Sequence, residues 1–600
     1  MKKILQSLCV MAILLAFATG SALAQGVTTS GLSGVVTDPN GEELPGATVQ
    51  AVHNPSGTTY GAVTNVSGRF RMPNVRVGGP YTLTVTFIGY QEYVVENINL
   101  SLGQTLNLDI SLAEESTILQ EVVVRSTKGQ AIDGDRTGAS TNLSNERIAS
   151  MPTINRSIND FTRLNPQSNG TSFGGADSRY NNYTIDGNLY NNNFGLGSSQ
   201  FAGGNPISVD AIEEVQVNVA PYDVTQSGFT GASVNAVTKS GTNSIQASAY
   251  TLFRNQNTQG TTLNGGQDVP FSESKTQIHG VTLGLPIIKD KLFFFGSFEF
   301  EDNAIPGDTR RAARPEQGLF PDFEQGIARM TADQARFVQE QMEEIYGYET
   351  GAFENYPFED VATRLNFRLD YNLNQENKIM VRYNNFQQRR DVGINGNSIR
   401  GLPQSERFRN TNRFGNEALT FRNGNYGSEE NVQSIVGEWT STIGSNMANK
   451  LNVGYTSSVS QRFIPGDQNF PMSEILEYDG STPLYFASLG TELFTRGNLL
   501  DNKTFNITNN FNYFMGDHTF TAGVNFEYMT FDNAFNPTWD SWYRWNSYDD
   551  FVAAVIDRDP SVRPAGFAIG FTYDENNPFE LPTDRTQFGQ VGLYLQDEYQ

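Results

Sequence analysis

Three histidines, His53, His279 and His518, and one cysteine, Cys9, are all the imidazole and thiol in the 600-residue chain. None of the histidines opens a His-x-x-Glu or sits in a His-Glu-x-x-His pattern, so the spacing that places zinc ligands beside a general base is missing. Each reads as a turn or strand residue. Cys9 lies in an N-terminal apolar run expected to be removed, which takes disulfides, thiolate metal sites and cysteine nucleophiles out together. No nucleophile–base pair, phosphate loop or EF-hand ligand spacing is evident, so no catalytic residue, cofactor or metal is expected. The chemistry that remains is recognition. Ile118 to Ser126 is a short β-prone run, and Glu121, Val122, Val123 and Val124 within it can add to the sheet edge of another protein through backbone hydrogen bonds. A last strand of the preceding domain, or a buried linker, would carry the same residues.

Export explains the start of the chain. Lys2 and Lys3 precede an apolar run from Ile4 to Phe17 and the small-residue pattern Ala22-Leu23-Ala24, the layout of a cleavable signal over residues 1–24. That run is shorter than the roughly 20 residues a membrane span needs, and no later segment offers about 18 consecutive apolar residues. A helical membrane protein is excluded, and the mean hydropathy of -0.42 agrees. A barrel is not excluded, because transmembrane strands need only about 10 residues of alternating polarity. The net charge of -24, from 65 acidic and 41 basic residues, argues against a surface built to neutralise nucleic-acid phosphates. Phe (41) and Tyr (25) far outnumber Trp (4), and with 57 glycines they favour strands and turns over helices.

From Gly31 to about Ala113, turn signals such as Asp38-Pro39-Asn40-Gly41 and Asn65-Val66-Ser67-Gly68 separate short alternating strands, which predicts a small β-sandwich of immunoglobulin or transthyretin type. Its strands are expected at Leu32 to Thr37, Thr48 to His53, Gly68 to Met72, Tyr81 to Phe87 and Thr105 to Leu112. Gly34 to Asp38, Leu44 to Val49, Asn65 to Phe70 and Phe87-Ile88-Gly89-Tyr90 together resemble a carboxypeptidase regulatory-like domain, an accessory module without peptidase activity. Leu143 to Ser240 is mixed α+β, with an amphipathic helix expected around Ile154 to Leu164. Met151 to Pro166, Arg179 to Gly187 and Ile212 to Asn243 resemble the plug domain of TonB-dependent receptors, in detail the Oar-like branch.

Beyond residue 240 alternating strands are joined by connections that are short, then long, in the rhythm of an outer-membrane barrel. Leu365, Phe367, Leu369, Tyr371 and Leu373 form one face of a strand, and Arg364, Asn366, Arg368, Asp370 and Asn372 the other. One face suits lipid and the other the lumen. About ten strands are expected, with long connections near 303–360, 390–428, 463–501 and 532–586. Receptors of this kind have roughly 22 strands, so the barrel is expected to be incomplete. The organisation is then signal 1–24, accessory domain 25–113, linker 114–142, plug 143–240 and the first part of the barrel 241–600.

The resemblance implies an outer-membrane receptor that moves a ligand across the membrane, inward or outward, with its N-terminal domain in the periplasm. It implies that Glu121 to Val124 is a TonB box, captured by the periplasmic domain of TonB with its inner-membrane motor proteins. It also implies ligand contact at the plug apex, with Tyr180, Asn181, Asn182, Asp186, Asn191 and Asn192 as the residues expected there. Asn and Gly suit tight turns, and that role stands beside the ligand role. Two other readings are an adhesion or assembly protein working through its loops, and a SusC-like glycan importer. The identity of the ligand is open.

Overall fold

Between residues 26 and 115 buried and exposed positions alternate with the period of two that a pleated strand imposes, and the computed structural model folds this stretch into two packed sheets. The structure describes residues 26–115, 122–125 and 139–599, apart from 152, 154–155, 196–199, 202–204, 220, 222, 227, 259–261, 264–266, 269–273, 397–414, 416, 481, 573–576 and 578–579. The expected signal lies outside the described residues. In chain order the accessory strands are β1 (Ser30–Thr37), β2 (Thr48–His53), β3 (Thr58–Val63), β4 (Arg69–Val75), β5 (Gly78–Thr86), β6 (Tyr93–Leu100), β7 (Thr105–Asn107) and β8 (Ile110–Ser111). One sheet joins β4, β1, β7 and β8, and the other runs β3-β2-β5-β6. Leu32, Phe70, Met72, Tyr81 and Leu83 fill the core between them.

Two of these strands, β3 and β6, go beyond the sequence expectation. In β6 the polar pair Glu96-Asn97 interrupts the alternation, and Asn97 takes a left-handed φ of 62°. A short ninth strand, β9 (Val122–Arg125), continues the second sheet by lying parallel to β6, with Tyr93 opposite Val122 and Glu96 opposite Arg125.

The next domain carries β10 (Ala139–Ser144), β11 (Ser168–Asn169), β12 (Ser172–Phe173), β13 (Asn182–Ile185), β14 (Asn188–Leu189), β15 (Ile212–Val219) and β16 (Ala232–Thr238). Its main sheet has the order β10-β15-β16-β13-β14. The expected helix is realised as Ile158–Thr162, opened by a capping box in which Ser157 and Asp160 satisfy each other's backbone N–H groups. Every residue of β13 and β16 is buried, polar ones included. Such strands are covered on both faces, and the cover is the barrel wall.

That wall is one antiparallel sheet of ten strands in sequence order: Gln246–Asn255, Lys275–Ile288, Leu292–Pro306, Pro357–Asn372, Asn377–Val392, Tyr426–Ile443, Met447–Phe463, Leu499–Met515, His518–Ala534 and Asp584–Tyr599. Residues on the first strand (Tyr250), the fourth (Arg364), the fifth (Arg382), the seventh (Thr456) and the tenth (Gln596) all touch the small inner domain, so the sheet curls around it. The expected alternation is borne out on the fourth strand. Phe367 and Leu369 are 41% and 40% exposed on the outer face, while Arg364 and Arg368 are 4% and 8% exposed against the inner domain. No strand joins the outer edges of the first and tenth strands among the described residues, so the wall is open along one side.

The long connections expected from the sequence carry secondary structure of their own. They fold together into a cap over one rim, with a helix at Ala332–Tyr346 and a sheet of Leu419–Thr420, Thr482–Leu489, Met472–Asp479, Trp542–Trp545 and Gly566–Ala568. Phe421, Ile475, Phe486, Trp545 and Phe551 form its core. Alternation stops at the wall, where lipid and lumen no longer impose it.

Candidate functional site

The Ile185-Asp186-Gly187 turn brings a carboxylate to the boundary between inner domain and wall. Asp186 has a left-handed φ of 47°, a conformation that Asp tolerates, and this aims its side chain back at Thr238. It accepts hydrogen bonds from the Thr238 amide at 2.9 Å and the Thr238 hydroxyl at 2.7 Å. Across the boundary the Arg368 guanidinium donates to it at 3.1 Å, and Arg382 Nε stands 3.0 Å away as an ion pair without hydrogen-bond alignment. A second cluster lies nearer the long-loop rim. Glu299 of the wall accepts from Tyr250 at 2.5 Å, Ser208 at 2.9 Å and Arg364 at 3.1 Å, and Arg156 of the inner domain bridges it to Asp210. Buried charges of this kind hold only while every partner is present.

The residues expected at the apex divide. Tyr180 is 58% exposed. Asn181 donates to the Thr171 carbonyl at 2.7 Å and accepts from the Ala232 amide at 3.0 Å, while Asn191 donates to Asn182 at 2.8 Å and accepts from the Tyr183 amide at 2.7 Å. Asn192 accepts from Asn502 at 3.4 Å, and the neighbouring Phe194 ring lies 5.6 Å from that of Phe531; Asn502 and Phe531 are on the long-loop halves of their wall strands. These five residues gather on the long-loop side. Asp186 stands apart, on the short-turn half of the wall and sealed by its two arginines, so it presents nothing to an external ligand. Its partners were half visible in the sequence: Arg368 falls on the expected luminal face, but alternation alone does not say which inner-domain acid it meets.

The accessory domain sits against the opposite rim. Arg71 donates to the Gly516 carbonyl at 2.8 Å, Asn372 donates to Thr58 at 2.9 Å, and Arg76 meets Ser240. Thr28 reaches into the wall, donating to Glu438 at 2.5 Å and accepting from Lys450 at 3.0 Å. The contact with the inner domain centres on Leu102, in the turn after β6. Its amide donates to Glu214 at 3.1 Å and its carbonyl accepts from Gln216 and Asn142, both at 2.7 Å. Burial pushes the Glu214 carboxyl up to about 7, against the opposing effect of the bonds from Asn142 and Leu102.

Of the β-prone run, Glu121 lies outside the described residues, whereas Val122, Val123 and Val124 form the body of β9 on the accessory sheet. Among the described residues no group of three or more His, Cys, Asp or Glu side chains is placed to hold a metal ion.

The curled sheet, its single-faced alternation and its short turns on one rim define a membrane-spanning wall. Residues 237–600 match the outer membrane beta barrel domain family, and the chain belongs to that family and to the outer membrane. Residues 31–113 match the carboxypeptidase regulatory-like domain. Over 254 residues the chain is 28% identical to the TonB-dependent transporter Oar of Myxococcus xanthus, a match covering 39% of this chain and 23% of that protein. It is also similar to the outer membrane transporter YddB from Escherichia coli (TM-score 0.49, 12% identity, 76% of this chain and 54% of the other). A further similarity is to the siderophore receptor PirA from Acinetobacter baumannii (TM-score 0.39, 15% identity, 66% and 48%). The chain spans less than two thirds of the length of each of these relatives.

Proposed function

We propose that the chain works as a TonB-dependent receptor that carries a ligand across the outer membrane. In this reading residues 143–240 are the plug, the cap and the exposed apex around Tyr180, Asn191 and Asn192 meet the ligand, and Glu121 to Val124 is the segment that TonB captures in the periplasm. Asp186 holds the plug shut rather than touching cargo. The chain's own part is mechanical: it binds, seals and releases, with energy supplied through TonB and its motor proteins, and no covalent step is required of it. The observation that carries this reading is the sealed inner domain, whose edge strand β10 (Ala139–Ser144) is the next described strand after the β-prone segment. A pull on that linker is a pull on the seal.

The folded cap favours one second reading, an adhesion or assembly protein that works through this surface. The test is ligand uptake or cargo appearance in cells carrying the full-length protein with residues 121–124 deleted, after normal insertion is verified. Loss of transport with normal insertion supports the TonB-driven reading. Unchanged function rejects it in favour of the surface reading.

A further inference from the structure

The edge of the accessory sheet is occupied by the very segment assigned to TonB. The chain leaves β8 along the start of β6: the Gln91 amide donates to the Ala113 carbonyl at 2.8 Å and the Glu115 amide to the Gly89 carbonyl at 3.0 Å, with Tyr90 and Glu114 paired as a bridge. Residue 115 is thus anchored beside the first turn of backbone before Tyr93. At 122 the chain is again alongside β6, and the four-residue strand β9 runs parallel to it in the register Tyr93–Val122, Val94–Val123, Val95–Val124, Glu96–Arg125. The register sets an acidic residue across from a basic one at its end. Without β9, the Tyr93-Val94-Val95 run would expose a row of unpaired N–H and C=O groups, the usual invitation to strand addition.

We propose that the β6 edge is a resting dock for residues 122–125, and that TonB must displace this strand from it before it can pull on the plug. The proposal rests on the reading of Glu121 to Val124 as TonB's target. Its physical basis is that strand addition recognises backbone groups, so two sheet edges compete for one short segment. While β9 is docked, tension on it runs into the folded accessory domain through β6. Once it is free, the same tension runs through residues 126–138 into β10. The dock therefore decides whether TonB's work reaches the seal.

The test is a disulfide lock in the full-length protein; the one cysteine of the 600-residue sequence, Cys9, lies in the stretch expected to be cleaved on export. Val94 is half-buried on the face of β6 away from the core, and V94C with V123C tests the register directly. T59C with V123C, on the opposite edge of the same sheet, is the control. The expected result is oxidation of the 94/123 pair but not the control, and binding of the purified periplasmic TonB domain at least about tenfold weaker in the oxidised form, restored by reduction. Failure of the 94/123 pair to oxidise above the control overturns the dock. Equal TonB binding by locked and reduced protein also overturns it, since TonB would then be adding to the outer edge of β9. A protein lacking residues 121–124 that still binds TonB would sink the underlying functional reading instead.

Discussion

The carboxylate of Asp186 and the guanidinium of Arg382, 1% and 0% exposed, face each other at 3.0 Å where the inner domain meets the fifth wall strand. Arg382 is otherwise held by the Tyr190 hydroxyl at 3.0 Å, the Ile185 carbonyl at 3.2 Å and Ser434 at 3.2 Å, all neutral groups. Asp186 thus supplies the carboxylate that faces Arg382 and shares Arg368 with Asp370, which lies 2.8 Å from the Arg368 guanidinium. Asp186→Asn keeps the side-chain shape and a residue that accepts a left-handed backbone, but takes from Arg382 the carboxylate that faces it, while Arg368 keeps Asp370. Removing one partner of a buried pair costs about 3–5 kcal/mol. The inner domain of the variant is expected to become protease-sensitive while the wall stays intact, which limited proteolysis of inserted protein measures.

Glu214 gives the contact between the accessory and inner domains a pH dependence of defined sign. Its carboxyl ionises near 4.5 when solvated and near 7 when buried, so the separated state loses its proton first as pH rises. The contact is strongest below about 4.5 and weakens progressively toward about 7. Hydrogen exchange at the Leu102 amide, corrected for its intrinsic pH dependence, is expected to speed up over that window in the native protein. Glu214→Gln keeps an oxygen acceptor and removes the ionisation, and its exchange is expected to stay flat.

The cap has its own core and is expected to fail on its own. Phe551 is fully buried and packs with its ring centroid 6.4 Å from that of Trp545. Phe551→Ala removes a large buried ring at a cost of about 3–5 kcal/mol. External protease is expected to clip the cap in this variant, with the wall's resistance to heat and detergent unchanged. Simultaneous loss of the wall would show that the two do not fold separately.

What the sequence disclosed follows from which surfaces constrain it. Lipid on one side and a packed lumen on the other force a strict alternation, so Leu365 to Leu373 could be assigned face by face and all ten wall strands found. The accessory strands β3 and β6 were hidden because Gly61 and the Glu96-Asn97 pair break the pattern while tertiary pairing keeps the strands in place. For Val122 to Val124 the sequence permitted either an added strand or a partner's target, since both demand the same β-prone residues; the pairing with β6 is a fact about a distant edge. The separation of Asp186 from Tyr180 and the asparagines was out of reach for a similar reason. It depends on the arginines Arg368 and Arg382, far away in the chain.

Two adjacent strands of the cap sheet, Met472–Asp479 and Trp542–Trp545, run parallel and belong to different connections. Met472–Asp479 pairs with Thr482–Leu489 of its own connection, but its other edge stays open until the next hairpin has been threaded through the bilayer and Trp542–Trp545 arrives, so the surface cannot be finished one excursion at a time. Non-local pairing of this type is slow, and here it takes place outside the cell, beyond the reach of any nucleotide-driven helper. During that interval a newly inserted molecule shows one bare strand edge to its surroundings, the kind of edge that invites pairing with a second chain.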